Sequence, residues 1–299
     1  MNSQFTHLVL SGGGMSGLVY LGTLRYLQQE GYDKNIKHIV GTSIGAFFAT
    51  MFALDISMGE LEERIKKFLN NKENCIIPCS LDTVFTVPNL LGIADSQILI
   101  NMIDDIISKI TFLELSKKTG KNLVITVTNV NTMQSTYFSV DTSPHVLISE
   151  AVRASMAIPL LFKPVEIGEE YYIDGGINDV IPINIFNNAN VSPDAVLIVT
   201  LSRTIEKNNE DSTQLPSLIK YISSIFQATM SNFQSMYLID KKYKYLHKIN
   251  NCPVSFAPLV WKDNELILKI SDQEIDESIA LGYTEIQKFI HKKFPKVNF

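Results

Sequence analysis

The chain has 299 residues, of which 45% are hydrophobic and 19% are charged. This balance is typical of globular proteins and excludes a disordered, collagen-like or coiled-coil chain. A net charge of −5, with only four arginines among 26 basic residues, argues against a dedicated nucleic-acid binder, which would carry clustered positive charge.

The start of the chain alternates predicted strands with predicted helices. Short apolar runs over residues 5–10 and 36–40 predict buried strands, and a glycine-rich turn follows each of them. Apolar residues at helical spacing predict a helix over residues 15–30, which Gly31 ends. Residues 46–54 are apolar on every side, so we expect a helix buried in the centre of the fold.

The rest of the chain continues this alternation. Residues 76–93 are apolar but contain two prolines, which favours a loop or cap over a core strand. The other periodic segments predict helices over residues 61–69, 97–110, 147–155, 218–238 and 278–289, and strands over residues 123–130, 136–140, 171–173 and 195–201. On the long helix the side chains expected to face inward are Ile222, Ile225, Met230 and Phe233. This order predicts an α/β fold with a mostly parallel sheet covered on both faces, in a single domain over residues 1–299.

The glycine-rich turn after the first strand has two candidate functions. Glycines over residues 12–17 let the backbone approach a ligand, and N–H groups at the start of the next helix face an anion. The turn therefore suits an oxyanion hole or a phosphate cradle. The spacing of Gly12, Gly14 and Gly17 also satisfies the dinucleotide-binding fingerprint, but the acidic residue that this fingerprint requires at the end of the second strand is missing.

The turn after the second strand has the sequence of a nucleophile elbow, G-x-S-x-G. It reads Gly41-Thr42-Ser43-Ile44-Gly45. In this strand–turn–helix setting a sharp turn raises the Ser43 hydroxyl above the sheet. The Ile44 N–H group and the helix N-terminus can then stabilise a developing oxyanion. The alternative is an ordinary helix entry rich in Gly and Ser, and the setting favours the nucleophile.

A hydrolase elbow ordinarily requires a histidine base, and no histidine of this chain follows a late glycine-rich turn. The five are His7, His38, His145, His247 and His291. A third turn offers a carboxylate, because Asp174 comes directly after the strand over residues 171–173. Gly175 and Gly176 then free the turn. Active sites of open α/β sheets lie at the carboxyl ends of strands, so we expect Asp174 to meet Ser43 there; the alternative is a plain Asp-Gly turn.

These three turns, in this order, resemble the motifs of the patatin-like phospholipase family. Residues 151–159, with the sequence AVRASMAIP, are similar to the family's block before the aspartate turn, and Asn178 and Pro182 continue the pattern after it. A fainter resemblance covers nearly the whole chain. It implies a three-layer α/β/α fold with a mostly parallel central sheet, and hydrolysis of acyl esters in lipids without a metal or another cofactor.

Carried over residue by residue, the resemblance implies that Ser43 is the nucleophile and Asp174 is its base. The implied oxyanion hole consists of the N–H groups of Gly13, Gly14 and Ile44 on a turn shaped by Gly12. The supporting glycines are Gly17, Gly41, Gly45, Gly175 and Gly176. Many members of the family carry Arg or Lys within the first glycine block, where this chain has Met15 and Ser16. Arg153 is therefore a candidate for substrate contact, with a structural role on its helix as the alternative.

The implied reaction is acyl transfer in two steps of the phospholipase A type. Asp174 takes the Ser43 proton as the hydroxyl attacks an ester, and water then hydrolyses the acyl-enzyme. A free Asp has a pKa of about 3.9 and is a weak base, so we expect apolar surroundings to raise that pKa. Two other classes stay open: a non-catalytic lipid-binding protein on the same fold, and a nucleotide-binding enzyme that uses residues 12–17.

A lipid substrate requires contact with an interface. Residues 76–93 are a candidate cap over the pocket, or else a loop packed on the core. A basic patch is a candidate for contact with anionic lipid, or else a solvated face; it consists of Lys241, Lys242, Lys244 and Lys248. No apolar run reaches the about 18 residues that span a bilayer. The first residues have no basic stretch and their apolar run stops at Leu10, so we do not expect them to form a signal peptide. We therefore expect a cytoplasmic protein that contacts membranes peripherally.

The three cysteines are Cys75, Cys79 and Cys252. They are too few and too scattered for a disulfide framework, and no second ligand pair accompanies the first two for a zinc site. We expect reduced thiols with structural roles, which agrees with an intracellular location.

Overall fold

The computed structural model describes residues 5–77, 92–94, 103, 107, 109–186, 191–201, 221–231, 243–262 and 265–295. The helices within these residues are α1 (Val19–Gln29), α2 (Ile44–Ala53), α3 (Met58–Asn70), α4 (Lys72–Cys75), α5 (Phe112–Thr119), α6 (Ile148–Ser155), α7 (residues 221–231) and α8 (Asp272–Lys293). The strands are β1 (His7–Leu10), β2 (His38–Thr42), β3 (Ile76–Ile77), β4 (Gly92–Ala94), β5 (Asn122–Asn129), β6 (Gln134–Phe138), β7 (Leu160–Phe162), β8 (Val165–Ile167), β9 (Glu170–Asp174), β10 (Val196–Leu201), β11 (Leu246–Ile249), β12 (Leu259–Lys262) and β13 (Glu265–Leu268).

The central sheet has eight strands in the order β11-β10-β1-β2-β5-β9-β8, and β6 also pairs with β5. The strands from β11 to β5 run parallel to one another. Strands β6 and β9 run antiparallel to β5, and β8 runs antiparallel to β9. Strands β12, β13 and β3 form a small antiparallel sheet, and β4 pairs with β7. The prediction of a mostly parallel central sheet is confirmed.

Two cores lie on opposite faces of this sheet. Leu8 and Leu10 of β1 belong to the larger core, together with residues of α1, α2, α6 and α8. Val9, between them, belongs to the second core, which also contains Phe226 and Met230 of α7. Successive side chains of a strand point to opposite faces, so each parallel strand contributes to both cores. The predicted three-layer α/β/α arrangement is therefore confirmed.

Helix α2 lies at the centre of the larger core, and all ten of its residues are buried, as predicted for this segment. Its C-terminal end is held by the buried Lys121, which donates to the Phe52 carbonyl at 3.1 Å and forms an ion pair with Asp55. A cation at this end complements the helix dipole. The N-terminal end of α2 directly follows Ser43.

Several helix starts differ from the sequence-based expectation, including those of α1 at Val19 and α3 at Met58. Helix α8 begins at Asp272, ahead of the predicted start, because Ser271 and Glu274 form a capping box in which each side chain bonds to the other's backbone N–H. Helix α5 has no counterpart among the predicted elements and starts from the same kind of box, formed by Thr111 and Glu114. Helix α4 and strands β3, β4, β7, β8 and β11 to β13 also have no predicted counterpart.

Helix α7 buries one face and exposes the other. Ile222 and Met230 are buried as predicted, but Ile225 is 48% exposed, so its predicted inward orientation is wrong. The buried side of α7 follows a spacing of four residues through Phe226, which leaves Ile225 one residue off that line.

Several predictions fall on residues outside the described ranges. They include most of the segments over residues 76–93 and 97–110, and also Cys79, Phe233, Lys241 and Lys242. Cys75 and Cys252 are buried free thiols, as predicted. No helix within the described residues is long and apolar enough to cross a membrane. The single domain over residues 1–299 stays a prediction.

Candidate active site

Ser43 sits in a strained turn between β2 and α2. Its backbone has φ 55° and ψ −127°, a conformation that residues with a side chain rarely adopt and that costs of the order of 1–3 kcal/mol. The residue is 4% exposed, and the next residue, Ile44, already belongs to α2. Ser43 thus occupies the sharp strand–turn–helix position that the elbow sequence predicts.

The glycines on either side of Ser43 are required by close backbone packing. A Cβ atom on Gly45 would lie 2.4 Å from the Leu10 carbonyl oxygen and 2.5 Å from that of Ser11. A Cβ atom on Gly41 would lie 2.4 Å from the Gly45 carbonyl oxygen. No real side chain tolerates such distances, so only glycine lets α2 start this close to β1 and β2.

Asp174 is the hydrogen-bond partner of Ser43. The Ser43 Oγ donates to Asp174 Oδ2 at 2.7 Å, and the backbone N–H of Gly176 donates to Asp174 Oδ1 at 2.7 Å. The carboxyl group is fully buried. Burial raises its pKa to about 7, although the two hydrogen bonds act in the opposite direction. A carboxylate with this pKa can take up and return a proton near neutral pH.

Asp174 reaches Ser43 by a route that the sequence did not indicate. It is the last residue of β9, and β9 runs antiparallel to β5. Thr42, the last residue of β2, pairs with Thr126 of β5, and Asp174 pairs with the next residue, Val127. Strand β5 therefore extends past the end of β2, and β9 descends along that extension to finish beside Ser43. Asp174 therefore meets Ser43 as expected, at the end of an antiparallel strand of the mostly parallel sheet.

The first glycine-rich turn lies against the nucleophile. A Cβ atom on Gly12 would be 3.4 Å from Ser43 Cβ. The N–H of Gly12 donates to the Val180 carbonyl at 3.0 Å, so Gly12 shapes the turn. Gly13 and Gly14 stand at the start of a short 3-10 helix over Gly14–Leu18, where no preceding turn offers their N–H groups an acceptor.

The two helix starts at the site pack directly on each other. A Cβ atom on Gly17 would lie 2.5 Å from the Ile44 side chain. The third turn is packed as closely on β5, since a Cβ atom on Gly175 would lie 2.3 Å from the Thr126 carbonyl oxygen. Gly176 is also buried beside Asp174. The predicted glycines of all three turns are thus brought together around Ser43 and Asp174.

Arg153 lies on α6, and its Nε atom is buried without a hydrogen-bond partner among the described residues. No described contact joins it to Ser43 or Asp174, so its predicted contact with substrate stays a prediction. The described residues contain no group of three or more His, Cys, Asp and Glu side chains placed to hold a metal ion.

Two side chains at the site were missed by sequence reasoning. Ser155 accepts a hydrogen bond from the backbone N–H of Ser43 at 2.8 Å. Met230 of α7 packs against the first and third glycine-rich turns. A Cβ atom added to Gly12 would lie 2.6 Å from the Met230 Cε atom, and one added to Gly176 would lie 3.2 Å from it. The sequence places Ser155 in the block resembling the family motif and Met230 on an inward face, but neither pattern indicates these contacts.

The histidines lie elsewhere. His7 and His38 stack on each other at the amino ends of β1 and β2, with ring centroids 4.5 Å apart. His247 packs on Phe289, and His291 contacts Tyr26. None of the described hydrogen bonds of Ser43 or Asp174 involves a histidine.

Known proteins share both the sequence and the fold. A family model described as patatin-like phospholipase matches residues 8–187. The chain is 30% identical over 254 residues to the uncharacterized protein R571 of Acanthamoeba polyphaga mimivirus, covering 82% of each chain. It is 27% identical to the probable lipid hydrolase 463L of Invertebrate iridescent virus 6, over 67% of this chain and 72% of that one. Triacylglycerol lipase 5 of Saccharomyces cerevisiae is 33% identical over 55% of this chain and 23% of its own length.

Among solved structures, VipD from Legionella pneumophila has the same fold, with a TM-score of 0.60 and 21% sequence identity over 97% of this chain and 67% of that one. Fold and relatives together define the class of protein as a hydrolase that acts on ester bonds. The family model matches more than half of the chain, and the chain belongs to the patatin-like phospholipase family.

Proposed function

We propose that this protein is a serine acyl hydrolase of lipid esters, of the phospholipase A type, with Ser43 as nucleophile and Asp174 as general base. The observation that carries the proposal is the 2.7 Å hydrogen bond from Ser43 Oγ to a fully buried Asp174 carboxyl group. A base must lie within hydrogen-bond reach of the proton it takes, and its pKa must lie near the working pH. Asp174 meets both requirements, since its pKa is raised to about 7.

The catalytic cycle transfers one proton back and forth. Asp174 accepts the hydroxyl proton while Ser43 Oγ forms a bond to the ester carbonyl carbon. The N–H groups of Gly13, Gly14 and Ile44 stabilise the oxyanion of the tetrahedral intermediate. The C–O bond to the leaving alcohol then breaks, and the proton passes from Asp174 to that oxygen. Water attacks the acyl-enzyme by the same steps, which releases the carboxylic acid and restores Ser43.

Lipid is the substrate class that the family and the named relatives support. The reacting group is deeply placed, since Ser43 is 4% exposed and Met230 covers the turn beside it. Such a site suits an acyl chain that leaves the aqueous phase, because each buried methylene contributes about 0.8 kcal/mol. Contact with the lipid surface is then transient and peripheral.

The dyad is tested with Ser43→Ala and Asp174→Asn, assayed for fatty acid release from phosphatidylcholine vesicles and from a soluble p-nitrophenyl ester. Each variant should lose activity by about 1,000-fold or more while melting cooperatively. Asp141→Asn, a change of an exposed carboxylate, serves as the control and should keep full activity. A fluorophosphonate probe followed by mass mapping should label Ser43. Vesicle binding without hydrolysis or labelling would instead support a non-catalytic lipid-binding protein.

The lipid surface is tested separately by sedimentation with neutral vesicles and with vesicles that contain anionic lipid. Lys244 and Lys248 belong to the described part of the basic patch. If that patch contacts anionic lipid, binding rises with anionic content and falls with salt. Equal sedimentation with both kinds of vesicle rules out this role for the patch.

A further inference from the structure

The hydroxyl of Ser155 bonds to the nucleophile's own backbone. The Ser43 N–H donates to Ser155 Oγ at 2.8 Å, and the Ser155 hydroxyl donates to the Thr126 carbonyl at 2.7 Å. Ser155 is completely buried at the end of α6. A single hydroxyl therefore serves as acceptor and donor at once, which links the strained turn to the central sheet.

This contact determines which N–H groups are free to stabilise an oxyanion. Because the Ser43 N–H is already bonded to Ser155, it is not available to a tetrahedral intermediate. The hydrogen-bond donors to the oxyanion are then the N–H groups at the two helix starts. The contact also constrains the backbone of Ser43, whose φ of 55° determines the direction of its hydroxyl.

Thr126 of β5 contacts residues next to both members of the Ser43–Asp174 dyad. On the nucleophile side, Thr42 pairs with Thr126 across the sheet. On the side of the base, Gly175 packs against the Thr126 carbonyl group, which also accepts the hydrogen bond from Ser155. A Cβ atom added to Gly175 would lie 2.3 Å from that carbonyl oxygen. A hydroxyl bonded to Thr126 thus fixes the Ser43 backbone relative to the turn that follows Asp174.

We propose that Ser155 is a positioning residue of the hydrolysis reaction, which holds the Ser43 amide so that the hydroxyl stays aligned with Asp174. This inference rests on the proposed function. A displacement of about 1 Å at reacting groups can lower a rate about 100-fold. Loss of the Ser155 hydroxyl should therefore reduce kcat more than it changes KM, since Ser155 is completely buried and its hydroxyl bonds to the backbone groups of Ser43 and Thr126.

The test compares Ser155→Ala with Ser149→Ala. Ser149 is a second buried serine on α6 without a described bond to Ser43, so it controls for loss of a buried hydroxyl on this helix. Ser155→Ala should lower kcat on a soluble p-nitrophenyl ester about 10- to 100-fold, with KM within about twofold of the parent. Its fluorophosphonate labelling should slow by the same factor and still reach one label per chain. The pH midpoint should not move, because both bonds to Asp174 remain.

A purely structural role predicts other results. If Ser155→Ala lowers the melting temperature but leaves kcat unchanged below it, or if both variants lose kcat equally, the positioning role is wrong. Should Ser155→Ala fail to fold, Ser155→Cys fills the site with a slightly larger side chain and a weaker acceptor, and full kcat in that variant also overturns the proposal. Failure of the proposed function is a separate result, because the parent protein would then lack hydrolysis and labelling, or Ser43→Ala would retain activity.

Discussion

The two ends of β1 and β2 place titratable groups in opposite situations. At their amino ends, His7 and His38 are register partners and stack on each other. At their carboxyl ends lie the turns that bring Ser43 to Asp174. Burial disfavours the charged form at both ends: it lowers the pKa of His7 to about 4, with a smaller contribution from His38, and raises the pKa of Asp174 to about 7.

The same physical effect has opposite chemical consequences at the two ends. For His7 it moves the pKa away from neutral pH, so the ring stays uncharged and packs as an aromatic side chain. For Asp174 it moves the pKa to neutral pH, where the group exchanges protons readily. Burial therefore makes one end of these strands inert and prepares the other for acid–base chemistry. The difference follows from the ordinary pKa of each side chain.

The largest effect is expected from Gly45→Ala at the carboxyl end. The added Cβ would meet two backbone carbonyl oxygens at 2.4 and 2.5 Å, and backbone atoms cannot move aside as a flexible side chain can. We expect more than about 3 kcal/mol of destabilisation, measured as loss of the cooperative melting transition. Gly59→Ala is the control, because its nearest neighbour would be 3.6 Å away; it should stabilise α3 by up to about 1 kcal/mol. Native melting of Gly45→Ala would contradict the close packing described for the elbow.

Asp174→Asn should stabilise the fold while it abolishes activity. Because the pKa of Asp174 is raised, the free energy of unfolding falls as pH rises from 3.8 to about 7. Over this range the unfolded state releases the proton while the folded state keeps it. The total loss is about 4 kcal/mol above pH 7. Asn stays neutral: its Oδ1 can accept from the Gly176 N–H, and its Nδ2 can donate to Ser43 Oγ, which reverses the direction of that bond. Urea unfolding should find the variant more stable at pH 8, with the difference vanishing near pH 4. A variant less stable than the parent at pH 8 would contradict this.

Activity should rise with pH through the pKa of Asp174. Only the ionised carboxylate accepts the Ser43 proton, so kcat/KM should increase about tenfold between pH 6 and pH 8 and level off above that. The rate on a soluble ester, measured where the protein is folded at every pH, checks this. His7→Phe should leave the midpoint unchanged. A midpoint near pH 4 would mean that Asp174 is not desolvated during turnover.

The smallest effect is expected at the amino end. The lowered pKa of His7 means that its contribution to stability is present above pH 6.5 and is lost as pH falls towards 4. His38 stacks on His7. Burial also lowers the pKa of His38, and the nearby Asp141 opposes that lowering. As pH falls from 6.5 to 4, the free energy of unfolding of His7→Phe should rise by about 1 kcal/mol relative to that of the parent, after allowance for solvent screening of a half-exposed ring. His145→Phe, a change of an exposed histidine, should show no such gain in melting temperature.

The sequence by itself determined the features that depend on a few neighbouring residues. The elbow around Ser43 can be recognised because a strained turn and a close helix start require glycine at fixed positions. The central helix α2 can be recognised because its sequence is apolar apart from Thr50 and carries no charged residue that would mark a solvent-facing side. Local capping boxes, Thr111 with Glu114 and Ser271 with Glu274, also determine the starts of α5 and α8, although hydrophobic periodicity does not indicate these starts.

Only the tertiary structure decided how distant segments meet. Ser43 and Asp174 are 131 positions apart, and their contact depends on β9 running antiparallel along an extension of β5. The bond from Ser43 to Ser155 spans 112 positions, and the cover of the site by Met230 depends on which face α7 turns inward. Periodicity gives a helix two faces and a strand two sides, but strand order and register determine which of them face each other. Those are properties of the whole chain, and local sequence does not contain them.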